Sequence, residues 1–146
     1  MRGLVNVLIF KIAFTVIGAC VPLLLLSEQA LQAMGFVVPQ PMLFLRLLGM
    51  AYAALIVGYA LGLREAKRGI YPASTVWVGI VSNGGGAMIL SFAAINGTWM
   101  QWGEFAQMLM WSAQICLTGI TAGLIVFGPF DLNIESELSK KFAQLP

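Results

Sequence analysis

A few ionisable and amide side chains in this chain stand inside long apolar runs. An ionisable or amide group is costly there and marks a binding or transport site by default. Lys11 lies about seven residues into the first run, roughly 10 Å at 1.5 Å per residue. Its stem is long enough to carry the ammonium back to the headgroups, so snorkelling is the expected role. Arg46 falls in the first turn of the second run and Glu104 at the start of the fourth. Their depths match, and Arg46 is expected to meet either lipid phosphate or Glu104, with Glu28 a further candidate partner. The third run holds Ser82-Asn83-Gly84-Gly85-Gly86. Glycine weakens a helix by about 1 kcal/mol per residue, but in a membrane it permits close helix approach or local unwinding beside a cavity. This segment is expected inside a bundle, with Asn83 tied to Gln114 or Thr118; a cleft where Asn83 meets a ligand is the other reading. In the fourth run Gln107, Gln114, Thr118 and Thr121 follow the 7, 4, 3 spacing of one helix face. Asn83, Gln107, Gln114, Thr118 and Arg46 are therefore the candidate ligand-binding set. Gly119 and Gly123 form a GxxxG match, and Ala54, Gly58 and Gly62 are small residues at spacing four. With Gly84, Gly85 and Gly86 they are expected to serve tight helix packing.

Several chemistries lack their residues. No acid lies deep in any run, so a proton-coupled carboxylate relay is missing, and with it the pattern of the small multidrug transporters. There are no histidines, which removes His-ligated haem and the common zinc and copper sites. Cys20 and Cys116 cannot form a CxxC pair and read as buried bystanders. No Ser-His-Asp set exists, and the triple glycine lies within an apolar span rather than between a strand and a helix. No cofactor, metal or independent catalysis is expected. A net charge of +2 is too small to suggest nucleic-acid binding.

The elements that position these residues follow from composition. Of the 146 residues 60% are hydrophobic and 10% charged, where soluble domains run at about 45–50% and about 25%. A small globule cannot hide that much apolar surface. Leu4 to Leu26, Leu43 to Leu63, Tyr71 to Ile95 and Phe105 to Phe127 are apolar runs of 21 to 25 residues. About 20 such residues cross a hydrocarbon core of about 30 Å as a helix. The runs are continuous rather than alternating, which argues against a membrane barrel. The expected fold is all-α: one integral membrane four-helix bundle over residues 1–146, with a tail from 128 to 146 begun by Gly128-Pro129.

Between the first two spans, Ser27 is a fair helix cap and Gly35 a fair stop, so Glu28 to Met34 is expected as a short interfacial helix before Pro39 and Pro41. Arg64 to Ile70 reads as a basic loop, and Asn96 to Gly103 as a turn bearing Trp99 and Trp102. With four spans, Arg2, Lys11, Arg64, Lys67, Arg68, Lys140 and Lys141 share one side, seven of the eight basic residues. That side is expected to be the cytoplasm, holding both termini. Ile17-Gly18-Ala19-Cys20 has the form of a lipoprotein cleavage box, but Lys11 breaks the apolar core before it and Val21 to Leu26 is apolar where a polar tether belongs. Asn96-Gly97-Thr98 matches a glycosylation sequon and reads as a turn.

Phe44-Leu45-Arg46-Leu47-Leu48-Gly49, Gly58-Tyr59 and Arg64 with its basic loop, together with Met34-Gly35-Phe36 through Pro39 and Pro41, resemble the DoxX-like proteins. These are small bacterial four-helix membrane proteins, associated with a quinol oxidase and with thiol or oxidative-stress complexes. The resemblance implies a four-helix bundle in the bacterial inner membrane. The leading expectation is a non-enzymatic inner-membrane protein, an accessory or assembly subunit or a binder of an apolar ligand such as lipid or quinone. Its partners would be the bilayer and other membrane subunits or further copies of itself. The alternative is a small oligomeric transporter or channel with a polar cavity between spans 3 and 4. A third reading is a subunit of a quinone-using membrane enzyme, with Arg46 or Lys11 near the headgroup.

Overall fold

The computed structural model describes residues 2–128; the tail assigned to 128–146, with Lys140 and Lys141, lies outside them apart from Gly128. Four helices are long and apolar enough to cross a membrane: Arg2–Leu25 (span 1), Leu43–Lys67 (span 2), Ala73–Ile95 (span 3) and Glu104–Phe127 (span 4). No strand occurs among the described residues. The fold is an all-α four-helix membrane bundle.

Span 1 is not uniform. A π-helical turn, Val16–Cys20, interrupts it, closed by the Val21 N–H bonding the Val16 carbonyl. Pro22 supplies the cause. It has no N–H, and its ring crowds the carbonyl four residues back, here that of Gly18. A wider turn shifts those carbonyls away. Thr15, whose Oγ1 donates to the Lys11 carbonyl at 2.8 Å, adds the local bend expected of such back-bonding.

The connection after span 1 follows its sequence signals. Ser27 Oγ accepts from the Ala30 N–H at 3.2 Å and caps the short helix Glu28–Ala33. Gly35 ends it with φ +86°, while Phe36 N–H bonds the Leu31 carbonyl at 3.1 Å and Gly35 N–H the Gln32 carbonyl at 2.9 Å. This is the two-bond left-handed stop that glycine favours.

Span 2 runs to Lys67, through most of the segment expected as a basic loop. Hydropathy marks where a helix leaves hydrocarbon, not where its backbone bonding ends. Arg64 and Lys67 are good helix formers, and cations suit a helix C-terminus. The three glycines of span 3 stay helical throughout, so the unwinding they permit does not occur.

Spans 1 and 2, 2 and 3, 3 and 4, and 4 and 1 pack side by side. Spans 1 and 3 therefore face each other across the diagonal. Near the N-terminus Leu4, Leu8, Tyr59, Ala66, Val76, Ile120 and Leu124 form the buried apolar cluster. Close packing, rather than water exclusion, holds helices together in lipid. Gly49 accommodates Leu23 and Leu24, Gly79 accommodates Leu124, and Gly123 accommodates Val7, whose Cγ2 would lie 3.1 Å from an added Cβ. Of the glycines expected at crossings, an added Cβ at Gly84 would lie 3.5 Å from Thr121 Cγ2 and one at Gly86 3.3 Å from Leu117 Cδ1. Gly58, Gly85 and Gly119 instead face open space. They correct the expectation. Spacing in sequence marks a face of a helix, but three consecutive residues span about 200° of it, so all three glycines of span 3 cannot meet one neighbour.

Candidate functional site

Two buried polar residues, Lys11 and Asn83, meet across the bundle diagonal. Lys11 is 9 residues from Arg2 on span 1, Asn83 10 from Ala73 on span 3, and Tyr59 8 from Lys67 on span 2. At 1.5 Å per residue all three lie about 12–15 Å from the same end of the bundle. Lys11 is 4% exposed, Asn83 2% and Tyr59 1%. The Lys11 ammonium donates to Asn83 Oδ1 at 2.7 Å and stands 4.2 Å from the centre of the Tyr59 ring, within cation–π range. It does not snorkel. Lys11 shares one stripe of span 1 with buried Leu4, Leu8 and Thr15, so its stem starts toward the interior rather than toward lipid.

The amide of Asn83 has only one consistent orientation. An ammonium has nothing but donors and a carbonyl nothing but lone pairs. Oδ1 must face Lys11, and Nδ2 donates to the Gly79 carbonyl at 2.5 Å. Nδ2 also lies 3.4 Å from Ser82 Oγ, and Ser82 Oγ shares a hydrogen bond of 2.8 Å with the Tyr59 hydroxyl. Lys11, Asn83, Ser82 and Tyr59 are thus one network across three spans. Every partner of the ammonium in it is neutral.

This network leads to the surface. Ser82 is half-buried and forms, with Trp77, Val78 and Val81, a groove of about 360 Å³. Trp77, Val78 and Val81 are exposed, and in a membrane span that exposure faces lipid. The lining of the groove is almost wholly apolar, and Ser82 is the polar residue on it.

Of the other candidate binding residues, none joins Asn83. Gln107 Nε2 donates to the carbonyls of Trp102 at 2.8 Å and Met100 at 3.2 Å, folding back on its own loop. Gln114 Nε2 donates to Ser91 Oγ at 2.6 Å, while its Oε1 is buried with no hydrogen-bond partner. Thr118 is exposed, and its hydroxyl donates to the Gln114 carbonyl at 2.9 Å; Thr121 does the same to Leu117 at 2.8 Å. Hydroxyls on a membrane helix can be satisfied by their own turn, so a polar stripe need not line a cavity. Asn83 makes no hydrogen bond to Gln107, Gln114 or Thr118 among the described residues, and its expected tie to Gln114 or Thr118 is replaced by the tie to Lys11.

Arg46 also has a different partner. Its Nη1 donates to the Leu23 carbonyl and its Nη2 to the Leu26 carbonyl, both at 2.7 Å. Those carbonyls belong to the last turn of span 1, where the helix leaves acceptors unsatisfied. Arg46 caps that end and fastens span 2 to it; it forms no pair with Glu104. Glu28 accepts instead from Gln32 at 3.0 Å and Gln40 at 2.6 Å. Removing two charge-assisted bonds by Arg46→Ala should cost about 1.5–3 kcal/mol. Glu104→Ala should change stability by less than about 0.5 kcal/mol, and the double variant should be additive within a similar margin when unfolding is followed in bicelles. Strong coupling would restore the ion pair.

Tyr59, Ser82 and Gly79 belong to this site although their types alone did not single them out. Thr15, four residues on from Lys11, gives no independent signal, because its hydroxyl is satisfied by the Lys11 carbonyl of its own turn. Cys20 is buried with Sγ 3.9 Å from the Gly49 carbonyl, and Cys116 is half-buried and free. Comparison with known proteins found no matching family model, no matching curated protein and no matching solved structure.

Proposed function

We propose that this chain is a non-enzymatic, multi-pass inner-membrane protein that takes an apolar molecule with an oxygen-bearing end, a lipid or a quinone, from the bilayer, and that it serves a larger membrane assembly as an accessory subunit. One observation carries this reading: the lipid-facing groove of Trp77, Val78, Val81 and Ser82 ends on a hydroxyl backed by the buried Lys11–Asn83–Tyr59 network. Apolar walls with a few convergent polar groups are the usual make-up of such sites. With the Tyr59 hydroxyl donating to Ser82 Oγ at 2.8 Å, the Ser82 proton can turn from the Gly79 carbonyl, 3.4 Å away, to a ligand oxygen, and the Lys11 ammonium favours partial negative charge at that point. A bacterial inner-membrane location with both termini cytoplasmic rests on the seven basic residues that a four-span chain assigns to one side by their positions in sequence. The likeness to DoxX-like proteins around Arg46, Gly58 and Tyr59 is in keeping with it.

The test uses the full chain in phosphatidylcholine nanodiscs, titrated with decylubiquinone and, separately, with oleate. A ligand at a hundredfold excess over its Kd stabilises by about 2.7 kcal/mol, a readable rise in unfolding temperature. The rise is expected with one of the two probes and should vanish in Ser82→Ala. No rise with either probe removes the reading, and a rise that survives Ser82→Ala places the ligand elsewhere.

A further inference from the structure

A second groove, independent of the one above, lies at the basic end of span 2. Ala60, Leu63, Arg64, Lys67 and Arg68 line a cavity of about 350 Å³. Their spacing is i, i+3, i+4, i+7, i+8, a single helix face. Toward the membrane centre the same side of the helix continues through Val57 and Leu61, 60% and 58% exposed. Toward the end it carries three cations, all exposed. None of the three side chains makes a hydrogen bond or ion pair within the described residues. Glu65, the nearest acid in sequence, does not line the cavity. Gly69, at φ +81°, ends the helix directly after Arg68, with its N–H on the Ala66 carbonyl at 3.1 Å.

We propose that this groove is a binding site for one anionic phospholipid, its phosphate held by Arg64, Lys67 and Arg68 and an acyl chain lying along Val57, Ala60 and Leu61. Charge and hydropathy change along one helix face in the order that a phospholipid presents them. A guanidinium offers paired donors to phosphate, and lysine adds a point charge. Each basic residue adds attraction to an anionic headgroup, so three around one groove separate a held lipid from a transient neighbour. Balancing the helix C-terminal dipole would explain a cation in the last turn. It accounts for Arg64 and Lys67, both in the last turn, but not for a groove shared by all three cations that continues into exposed apolar surface.

The full chain, purified in mild detergent, is incubated with equal amounts of phosphatidylglycerol and phosphatidylcholine, and bound lipid is counted by native mass spectrometry. Phosphatidylglycerol should be retained at least fivefold over phosphatidylcholine, as a single molecule. The combined variant Arg64→Gln, Lys67→Gln, Arg68→Gln should abolish the preference with helix content unchanged, since all three side chains lie outside the packed core. Arg64→Gln alone should reduce the preference at least twofold, which keeps the test standing if the triple variant folds poorly. Arg2→Gln, at the same end of the bundle, should leave it intact. Added sodium phosphate at the lipid's concentration should not displace the lipid, because the apolar half of the groove contributes; displacement would reassign the site to free phosphate and overturn the proposal. Equal retention of the two lipids, or a preference that survives the triple variant, would overturn it too. Ser82→Ala leaves this site untouched, so its outcome is separable from that of the span 3 groove.

Discussion

Asn83→Leu is expected to lower stability by about 3–5 kcal/mol, the cost of leaving a buried charge without its partner. A hydrogen bond between neutral side chains in a membrane is worth much less, about 0.6 kcal/mol on average with a maximum near 1.7. The difference lies in what remains behind. Leucine fills the space of the amide, but the Lys11 ammonium, 4% exposed, then keeps only the face of Tyr59 at 4.2 Å. Its sole hydrogen-bond acceptor among the described residues, Asn83 Oδ1 at 2.7 Å, is gone. Lys11→Met leaves the milder defect, an amide oxygen without a donor, about 1–3 kcal/mol. The double variant removes both halves and should be no worse than Asn83→Leu alone. Unfolding of the four proteins in bicelles gives the coupling directly. A loss near 1 kcal/mol for Asn83→Leu, additive with Lys11→Met, would show a snorkelling lysine and no diagonal tie.

How far this site could be read from sequence follows from what a membrane does to sequence patterns. Span limits and caps were legible: Ser27 and Gly35 act where their types place them, and all four spans lie within a few residues of the apolar runs. Depth was legible as well, because rise per residue is fixed. The direction in which a residue faces was not. In a soluble helix the polar face marks the outside; here nearly every position is apolar, and exposed Ile17, Leu25 and Phe10 look no different from buried Leu4 and Leu8. Lys11 at its depth is compatible with either direction, and only the tertiary placement of Asn83 and Tyr59 selects the interior. Arg46 shows the same limit. Its position in the first turn of span 2 was plain, but its partners are backbone carbonyls of span 1, and no side-chain pattern announces a carbonyl.

Gly35→Ala should destabilise the protein by about 2–3 kcal/mol, more than its backbone angle alone requires. Left-handed geometry costs an L-residue about 1–2 kcal/mol, and Gly35 has φ +86°. The remainder comes from the other loop. An added Cβ at Gly35 would lie 2.6 Å from Gly103 Cα, a backbone atom that cannot turn aside as a side chain can. The Gly103 N–H bonds the Gly35 carbonyl at 2.9 Å, so separating the loops also loses that bond, worth about 1 kcal/mol. Phe36 and Trp102, edge to face at 5.6 Å, would part with it. Gly69 isolates the two contributions: its φ is +81°, and an added Cβ there meets nothing within 4 Å. Gly69→Ala should therefore show the conformational cost alone, about 1–2 kcal/mol. Gly85→Leu completes the series from the opposite direction. Its Cβ also enters open space, in the middle of a helix where glycine is the poorer residue by about 0.8–1 kcal/mol, so the variant should be neutral or slightly stabilising. Chemical unfolding of the three variants, with tryptophan fluorescence reporting on Trp99 and Trp102, should rank them Gly35→Ala, Gly69→Ala, Gly85→Leu in order of decreasing damage. Equal losses for Gly35 and Gly69 would mean that the two loops of the tryptophan end are not joined. A large loss at Gly85 would mean that span 3 turns this residue toward a neighbouring helix, and with it that Asn83, two residues earlier, faces somewhere other than Lys11.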